Sequence, residues 1–173
     1  MLKIVLHPNK ILQRKSNPID LESLKTAEFK TLIKEMTETM LKKDGAGLAA
    51  PQIGQNIRLI VINNAGKTIV MINPEITKKS WGKETEDEGC LSVLDKKGVP
   101  YYLPVARHKK IKCSYFDTKG NKKKIEANDF LARIIQHETD HLEGILFIDR
   151  VAEKKKESKK KSKKEKKENE TKN

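Results

Sequence analysis

The stretch QHETDHLEG, from Gln136 to Gly144, places two histidines four residues apart, with a glutamate directly after the first. Residues four apart lie on the same face of an α-helix, so His137 and His141 can each direct an imidazole nitrogen at one ion. Glu138 can then reach the open side of that ion and hold a water molecule without being a ligand. The pattern therefore predicts a metal-binding helix. The alternative is a surface helix whose histidines have this spacing by chance.

A helix of this kind supplies two ligands, whereas catalytic metal sites generally take three from the protein. One zinc-protease pattern would place a histidine three residues after Gly144, where Phe147 stands. Another would take a glutamate about twenty residues downstream, where this chain is a lysine run without apolar support. Cys90 in DEGCLS remains, and a thiolate with two imidazoles makes a three-ligand site with one position open. His7 and His108 each stand alone beside a turn or a charge run, which favours surface histidines.

The remaining sequence up to residue 152 indicates helices and β-hairpins. The predicted elements are a helix at 26–43, a hairpin at 58–73 whose second strand ends at Pro74, a strand at 75–81, a hairpin at 110–127 and a helix at 130–143. The last of these carries the two histidines, and its apolar face is formed by Leu131, Ile134, Ile135 and Leu142. Residues 145–150 form a short apolar closing segment. Cys113 lies on the inward face of an alternating strand, so we expect a core thiol there.

The positive charge of the chain is unevenly distributed. The 173 residues carry a formal net charge of +13, and residues 153–173 contain eleven lysines and five glutamates. No apolar side chain follows Ala152, so this segment cannot bury a core. We therefore expect a folded domain over residues 1–152 and a disordered, lysine-rich tail over residues 153–173. Positive charge at this level favours association with polyanions, including RNA-rich assemblies.

Nothing in the sequence indicates secretion or membrane insertion. The N-terminal MLKIVLHPNK has a short apolar run broken by Pro8, and no small-residue cleavage site follows it. No stretch approaches the roughly 20 apolar residues needed to cross a bilayer. We expect a cytoplasmic protein in which Cys90 and Cys113 stay reduced.

Three segments of this chain together resemble the signatures of the peptide deformylases. They are GAGLAAPQIG (residues 45–54), EGCLS (residues 88–92) and QHETDH (residues 136–141), and their order and spacing also fit. The similarity extends over nearly all of residues 1–150. It implies an α+β fold, with mainly antiparallel sheets around a central metal-binding helix and an N-terminal helix. It also implies an enzyme that uses one divalent metal ion, Fe²⁺ or Zn²⁺, to remove the formyl group from the N-terminal methionine of nascent polypeptides, releasing formate.

The resemblance assigns catalytic roles to particular residues. The metal ligands would be Cys90, His137 and His141. Glu138 would be the general base that later returns its proton to the departing amine. The side-chain amide of Gln52 and the backbone N–H of Leu91 would stabilise the negative charge that develops on the formyl oxygen.

The resemblance also implies how the substrate would bind. An extended nascent chain would pair with edges offered by residues 45–47 and 89–91, namely Gly45, Ala46, Gly47, Gly89 and Leu91. The methionine pocket would be walled by Ala46, Leu91, Ile134 and His137, and we expect Arg133 at its rim rather than facing solvent. Glu88 and Arg107 would form an ion pair that steadies the Cys90 loop.

The chain departs from the family pattern in two places. Leu94 and Asp95 stand where Pro-Gly usually follows the cysteine motif, which leaves the shape of that loop and its contact with substrate open. The tail is also much richer in lysine than a simple closing helix. It is either a solvated, solubilising segment or a means of docking near ribosomal RNA by salt-sensitive attraction without sequence recognition. Two rival functions are a zinc endopeptidase and a non-enzymatic RNA-binding module driven by the tail.

Overall fold

A computed structural model of the protein describes residues 1–151. The lysine-rich tail expected at residues 153–173 lies outside the described residues, and the domain boundary at residue 152 stays a prediction. The helices and strands are α1 (Ala27–Lys42), β1 (Gly47–Ala49), β2 (Leu59–Asn64), β3 (Lys67–Lys79), β4 (Lys83–Glu88), β5 (Leu103–His108), β6 (Lys110–Phe116), β7 (Lys122–Asn128) and α2 (Asp129–Leu142). Short 3₁₀ helices cover Lys10–Gln13, Leu21–Lys25 and Ala50–Ile53.

The strands form two antiparallel sheets. The larger sheet has the order β1-β2-β3-β6-β7, and β4 pairs with β5 in a separate two-stranded sheet. Both predicted hairpins are present, as the pairs β2-β3 and β6-β7. The prediction of an α+β fold with mainly antiparallel sheets is confirmed. The three-residue strand β1 lies at an edge of the larger sheet, and no described strand pairs with its outer side.

The prediction that Pro74 ends a strand is wrong, because β3 continues through it to Lys79. The pairing of β3 with β6 shifts in register between Ile72 and Glu75, and Asn73 has a φ of 50°. This irregularity accommodates a residue that has no N–H to donate. Two hydrogen bonds hold this irregularity in place. The Asn73 side-chain amide accepts from the backbone N–H of Ile19 and donates to the carbonyl of Ile19, both at 2.8 Å.

Strand β2 places the two helices on opposite faces of the sheet. Alternate residues of a strand point to opposite faces, and the two sets pack into different core clusters. Leu59 and Val61 lie in the cluster that contains Met36 and Met40 of α1. The other set, Ile60 and Ile62, lies in the cluster that contains Ala132, Ile135 and Leu142 of α2. The helix that carries the histidines therefore packs against the sheet, in the central position that was predicted for it.

The closing segment seals one end of α2. Gly144 follows the helix with a φ of 72°, and a Cβ at this position would lie 2.6 Å from the backbone carbonyl of Gln13. Leu146 and Phe147 are then buried in one cluster with Leu12 and Cys90, as an apolar closing segment requires. Residues 147–151 are helical. Within residues 1–151, no helix has the length and apolar content needed to span a bilayer.

Candidate metal centre

The structure brings together the thiol and the two imidazoles that the sequence singles out. One donor atom from each of Cys90, His137 and His141 lies within 4.8 Å of the others. The Sγ of Cys90 is 3.3 Å from Nε2 of His141, and the two histidine rings are 5.1 Å apart between centroids. Cys90 directly follows the bend after β4, and both histidines project from α2. One sulfur and two ring nitrogens at this separation are the donor set of a three-ligand zinc or iron site.

A carboxylate orients the His137 ring. Nδ1 of His137 is 3.0 Å from Oε2 of Glu88, which leaves Nε2 as the nitrogen available to a metal. Burial alone would raise the pKa of Glu88, but hydrogen bonds from His137 and Arg107 outweigh it and lower the pKa to about 2. Glu88 is therefore ionised at neutral pH. Burial also lowers the pKa of His141 well below its usual range, which keeps this imidazole in the neutral form that binds metals.

Glu88 belongs to a buried network of charges. The Nε and Nη2 atoms of Arg107 donate to its two carboxylate oxygens at 2.9 Å, so the expected ion pair is present in bidentate form. Arg107 also pairs with Asp140, which in turn binds the guanidinium of Arg150. Asp140 lies one position before His141 on α2. The network therefore joins the Cys90 loop, the helix with both histidines and the closing segment.

Arg133 is a second cation on Glu88, and its position differs from the pocket rim that we expected. Its side chain lines the cleft, but only 6% of the residue is exposed. Nη1 donates to Oε1 of Glu88 at 2.7 Å and to the carbonyl of Val105 at 3.0 Å. Nη2 donates to the carbonyl of Glu84 at 2.9 Å. Arg133 thus ties α2 to β4 and β5 and steadies the carboxylate that orients His137.

Glu138 is a buried carboxylate at the wall of the cleft. It is 4% exposed, and its Oε2 has no hydrogen-bond partner among residues 1–151. Burial raises the pKa of Glu138 to about 7. It packs directly against β1, since a Cβ on Gly47 would lie 2.4 Å from its Oε1. An unpartnered buried oxygen next to three metal-type donors fits a metal site with one position open to water.

The two expected oxyanion donors lie beside Cys90. The Oε1 of Gln52 accepts from the N–H of Ala49 at 2.8 Å, which directs its Nε2 toward Sγ of Cys90 at 3.4 Å and Oγ of Ser92 at 3.2 Å. The N–H of Leu91 makes no hydrogen bond within the described part of the chain. The Gln52 amide and the Leu91 backbone N–H therefore lie next to Cys90, and their oxyanion role stays a prediction.

These groups line a cleft of about 390 Å³. All of the residues expected to bind substrate line it: Gly45, Ala46, Gly47, Gly89, Leu91, Arg133, Ile134 and His137. Tyr102 and Phe130 also line it, and both are more than half exposed. The Tyr102 ring packs against Gly89, since a Cβ there would lie 2.6 Å from the ring.

The other histidines and the second cysteine lie away from these donors. His7 is exposed, and its backbone N–H donates to the carbonyl of Ser92. His108 ends β5 and its Nδ1 contacts the carbonyl of Ser80. Cys113 is 1% exposed in the core, and burial raises the pKa of its thiol to about 11.

Comparison with known proteins agrees with this geometry. The polypeptide deformylase family model matches residues 1–157. The chain belongs to the polypeptide deformylase family. A peptide deformylase from Picosynechococcus is 49% identical over 129 residues, which cover 72% of this chain and 66% of that protein. The chloroplastic or mitochondrial peptide deformylase 1B of Arabidopsis thaliana is 42% identical over 158 residues, which cover 88% of this chain but only 55% of that protein.

Solved deformylase structures share this fold over most of the chain. The class I type b peptide deformylase of Acinetobacter baumannii, bound to Met-Ala-Ser, has a TM-score of 0.80 at 33% identity and covers 87% of this chain and 98% of its own. The peptide deformylase of Thermotoga maritima has a TM-score of 0.79 at 35% identity and covers 87% of this chain and 97% of its own. This member of the deformylase family therefore shares the architecture of these structures over 87% of its chain.

Sequence reasoning missed several polar residues of this deformylase-family site. Asp140 and Arg150 extend the ion-pair network of Arg107, and Ser92 contacts both Gln52 and Sγ of Cys90. None of these three residues belongs to the spacing pattern that identified the ligands. Asp140 lies inside the QHETDH motif, on a helix face that is buried if the histidines bind a metal. A charge on such a face needs a partner, so its position could have indicated an ion pair. Arg150 and Ser92 gave no comparable signal, because their contacts depend on tertiary packing.

Proposed function

We propose that this chain is a peptide deformylase that removes the formyl group from the N-terminal formylmethionine of nascent polypeptides and releases formate. The observation that carries the proposal is the buried carboxylate of Glu138 beside the Cys90, His137 and His141 donors, in a chain of the polypeptide deformylase family. In this reaction water adds to the formyl carbon and the carbon–nitrogen bond breaks. The departing amine takes up a proton.

Cys90, His137 and His141 would hold one divalent metal ion. A thiolate with two imidazoles suits Fe²⁺ and Zn²⁺ alike, so we propose either ion as the cofactor. When bound, such an ion supplies Lewis-acid chemistry and makes water acidic enough to react near neutral pH. Glu88 supports this role because its hydrogen bond to Nδ1 of His137 holds the ring in the ligating tautomer.

Glu138 would move the proton. A pKa of about 7 leaves this carboxylate present in both protonation states near neutral pH, which suits a group that takes a proton from water and returns it to the amine. Its Oε2 has no partner in the described part of the chain, and so it is available to water. The Gln52 amide and the Leu91 N–H would stabilise the oxyanion, and one such donor is typically worth about 3 kcal/mol.

The substrate would bind as an added strand along β1. The outer edge of β1 pairs with no strand in the described sheet, and Gly89 and Leu91 line the same cleft as Gly45 to Gly47. Backbone pairing recognises an extended chain whatever its sequence. Selection of methionine would then fall to the apolar wall formed by Ala46, Leu91 and Ile134. The Met-Ala-Ser complex of the Acinetobacter relative supports this substrate class.

The test combines metal analysis with turnover. Protein purified without oxygen is assayed for bound metal and for formate release from formyl-Met-Ala-Ser. Glu138→Ala should keep its metal and lose turnover, because it removes the proton carrier and leaves all ligands in place. Cys90→Ser should lose metal affinity. Glu126→Ala, on an exposed strand position, is the control and should retain both properties. Full turnover by Glu138→Ala would contradict the general-base role.

Two further measurements separate the rivals. A zinc endopeptidase would cleave unformylated peptides, which a deformylase leaves intact. Deletion of residues 153–173 should leave turnover of formyl-Met-Ala-Ser unchanged, whereas an RNA-binding module driven by the tail would lose its activity. Docking of the tail near ribosomal RNA rests on its composition alone. We propose a cytoplasmic location, which the two free cysteines Cys90 and Cys113 support.

A further inference from the structure

A second groove adjoins the catalytic cleft. It has a volume of about 690 Å³ and lies between the N-terminal segment, the end of α1 and the loop after Cys90. It shares four lining residues with the cleft: Lys43, Asp44, Leu91 and Pro100. Leu2 and Ile4 contribute an apolar floor. The two spaces therefore adjoin at these four residues, and the groove lies beyond Asp44 from the cleft.

One wall of the groove is the turn that departs from the family pattern. Asp95 closes this turn, since its Oδ1 accepts from the backbone N–H of Lys97 at 2.8 Å and of Val99 at 2.9 Å. A bridge between Leu94 and Pro100 holds its two ends together. The turn is thus tightly hydrogen-bonded, and the wall it forms is a fixed surface.

The rim of the groove is positively charged. Lys3, Lys42 and Lys43 line it and are exposed, against the single carboxylate of Asp44. None of these lysines forms an ion pair within the described residues, although several other lysines do. Three unpaired ammonium groups around an apolar floor favour an acidic peptide over a basic one.

The direction of the substrate strand leads to this groove. Glu138 packs against Gly47, so the reacting formyl group lies near that end of the edge. An extended chain advances about 3.4 Å per residue, in step with the strand it pairs with. Its first three residues would therefore pass Gly47, Ala46 and Gly45, and the next ones would meet Asp44 and Lys43. At Asp44 the protein backbone turns away from the line of β1, because this residue has a φ of 51°. The edge that the substrate would pair with therefore ends there.

We propose that this groove is an extended substrate site that binds the fourth and following residues of the nascent chain and favours acidic side chains there. The inference rests on the proposed function, since it takes the cleft as the site of the formyl group. Each exposed ion pair is weak on its own, so three lysines should give a preference of about threefold to tenfold at low ionic strength. The preference should act on KM rather than on kcat.

The experiment compares two hexapeptides that share their first three residues, formyl-Met-Ala-Ser-Asp-Asp-Ala and formyl-Met-Ala-Ser-Lys-Lys-Ala. The full chain should show a kcat/KM about threefold to tenfold higher for the acidic peptide at low salt. The difference should vanish near 1 M salt, where the screening length falls to about 3 Å. Lys3→Glu and Lys42→Glu should each shrink or invert the ratio. Each rate is expressed relative to the same variant's rate on formyl-Met-Ala-Ser, which removes any general loss of activity.

Lys30→Glu is the matched control. Lys30 is an exposed lysine on the same helix, 12 residues and so about 18 Å before Lys42, and it lines neither space. The control should keep the wild-type ratio. Equal rates for both hexapeptides in a chain that deformylates the tripeptide would overturn the extended site alone. Absence of tripeptide turnover would overturn the proposed function. An unchanged peptide ratio combined with weaker binding of an RNA homopolymer by Lys42→Glu would assign the lysines to RNA instead.

Discussion

Replacing Gly47 by alanine tests the position of the general base without altering a single polar group. Gly47 lies in β1 and its φ is outside the left-handed region, so an alanine backbone is tolerated there. The added Cβ would lie 2.4 Å from Oε1 of Glu138 and 2.7 Å from its Cδ and Cγ. Carbon atoms in contact are separated by about 3.5 Å. The Glu138 side chain must therefore move by roughly 1 Å away from β1, and the protein atoms that bury most of it resist that movement.

A displacement of this size has a predictable kinetic effect. Misplacing a catalytic group by about 1 Å can cost about 100-fold in rate, which equals about 2.7 kcal/mol of transition-state stabilisation. We expect kcat for formyl-Met-Ala-Ser to fall by about that factor in Gly47→Ala, measured as formate release. The metal content should not change, because the three atoms nearest to the added Cβ all belong to Glu138 and none to a ligand. Gly82→Ala is the matched control, since a Cβ there meets nothing within 4 Å.

A double-mutant cycle decides whether the effect acts through Glu138. If it does, Gly47→Ala combined with Glu138→Ala should be no slower than Glu138→Ala alone, because the clash then has no target. A double variant that is 100-fold slower than Glu138→Ala would place the effect of the methyl group elsewhere, for example on the substrate strand. Full activity of Gly47→Ala would refute the placement of the reacting group beside this strand.

Three further perturbations test the surroundings of the site. Arg107→Leu leaves the carboxylates of Glu88 and Asp140 buried without their shared cation. We therefore expect the free energy of unfolding, measured in urea, to fall by about 3 kcal/mol or more. An unchanged urea midpoint would show that this network does not stabilise the fold. In the folded protein the pKa of Glu88 is about 2, against an ordinary value of 4.5, so its contribution to stability is complete above pH 4.5 and is lost as pH falls toward 2. The urea midpoint of metal-free protein should decline in that window, and the decline should be shallower in Glu88→Gln. In a Cys90→Ser variant, Cys113 is the remaining thiol, and it is buried with a pKa of about 11. Its alkylation at pH 8 should therefore be at least tenfold slower in native protein than in urea. Equal rates would show an accessible thiol.

The helix with the histidines was predictable because its signal is local. The four-residue spacing of His137 and His141 places them on one face whatever surrounds the helix. The hairpins were also predictable, since β-branched runs separated by short turn sequences encode both strands and the turn. Cys90 was reached by elimination, because no competing donor had a plausible setting.

The parts that the sequence did not reveal depend on contacts between distant segments. The bend at Asn73 is held by Ile19, 54 positions away, and without that contact Pro74 reads as a strand end. Arg133 looked like a rim residue because its partner Glu88 lies 45 positions away in sequence. β1 is three residues long within a glycine- and alanine-rich stretch, and it is a strand because β2 pairs with it. In each case tertiary pairing outweighed local preference.

The chain of charges from His137 to Arg150 has a consequence for biosynthesis. Glu88 and Arg107 emerge from the ribosome before α2, which carries both histidines. Arg150, which pairs with Asp140 of that helix, emerges later still. A nascent chain therefore lacks the complete set of three metal ligands for most of its translation. A product that stops just short of Arg150 would contain every donor atom yet lack the outer brace on Asp140. Newly synthesised molecules should thus acquire their ion only after the helical residues 147–151 have docked.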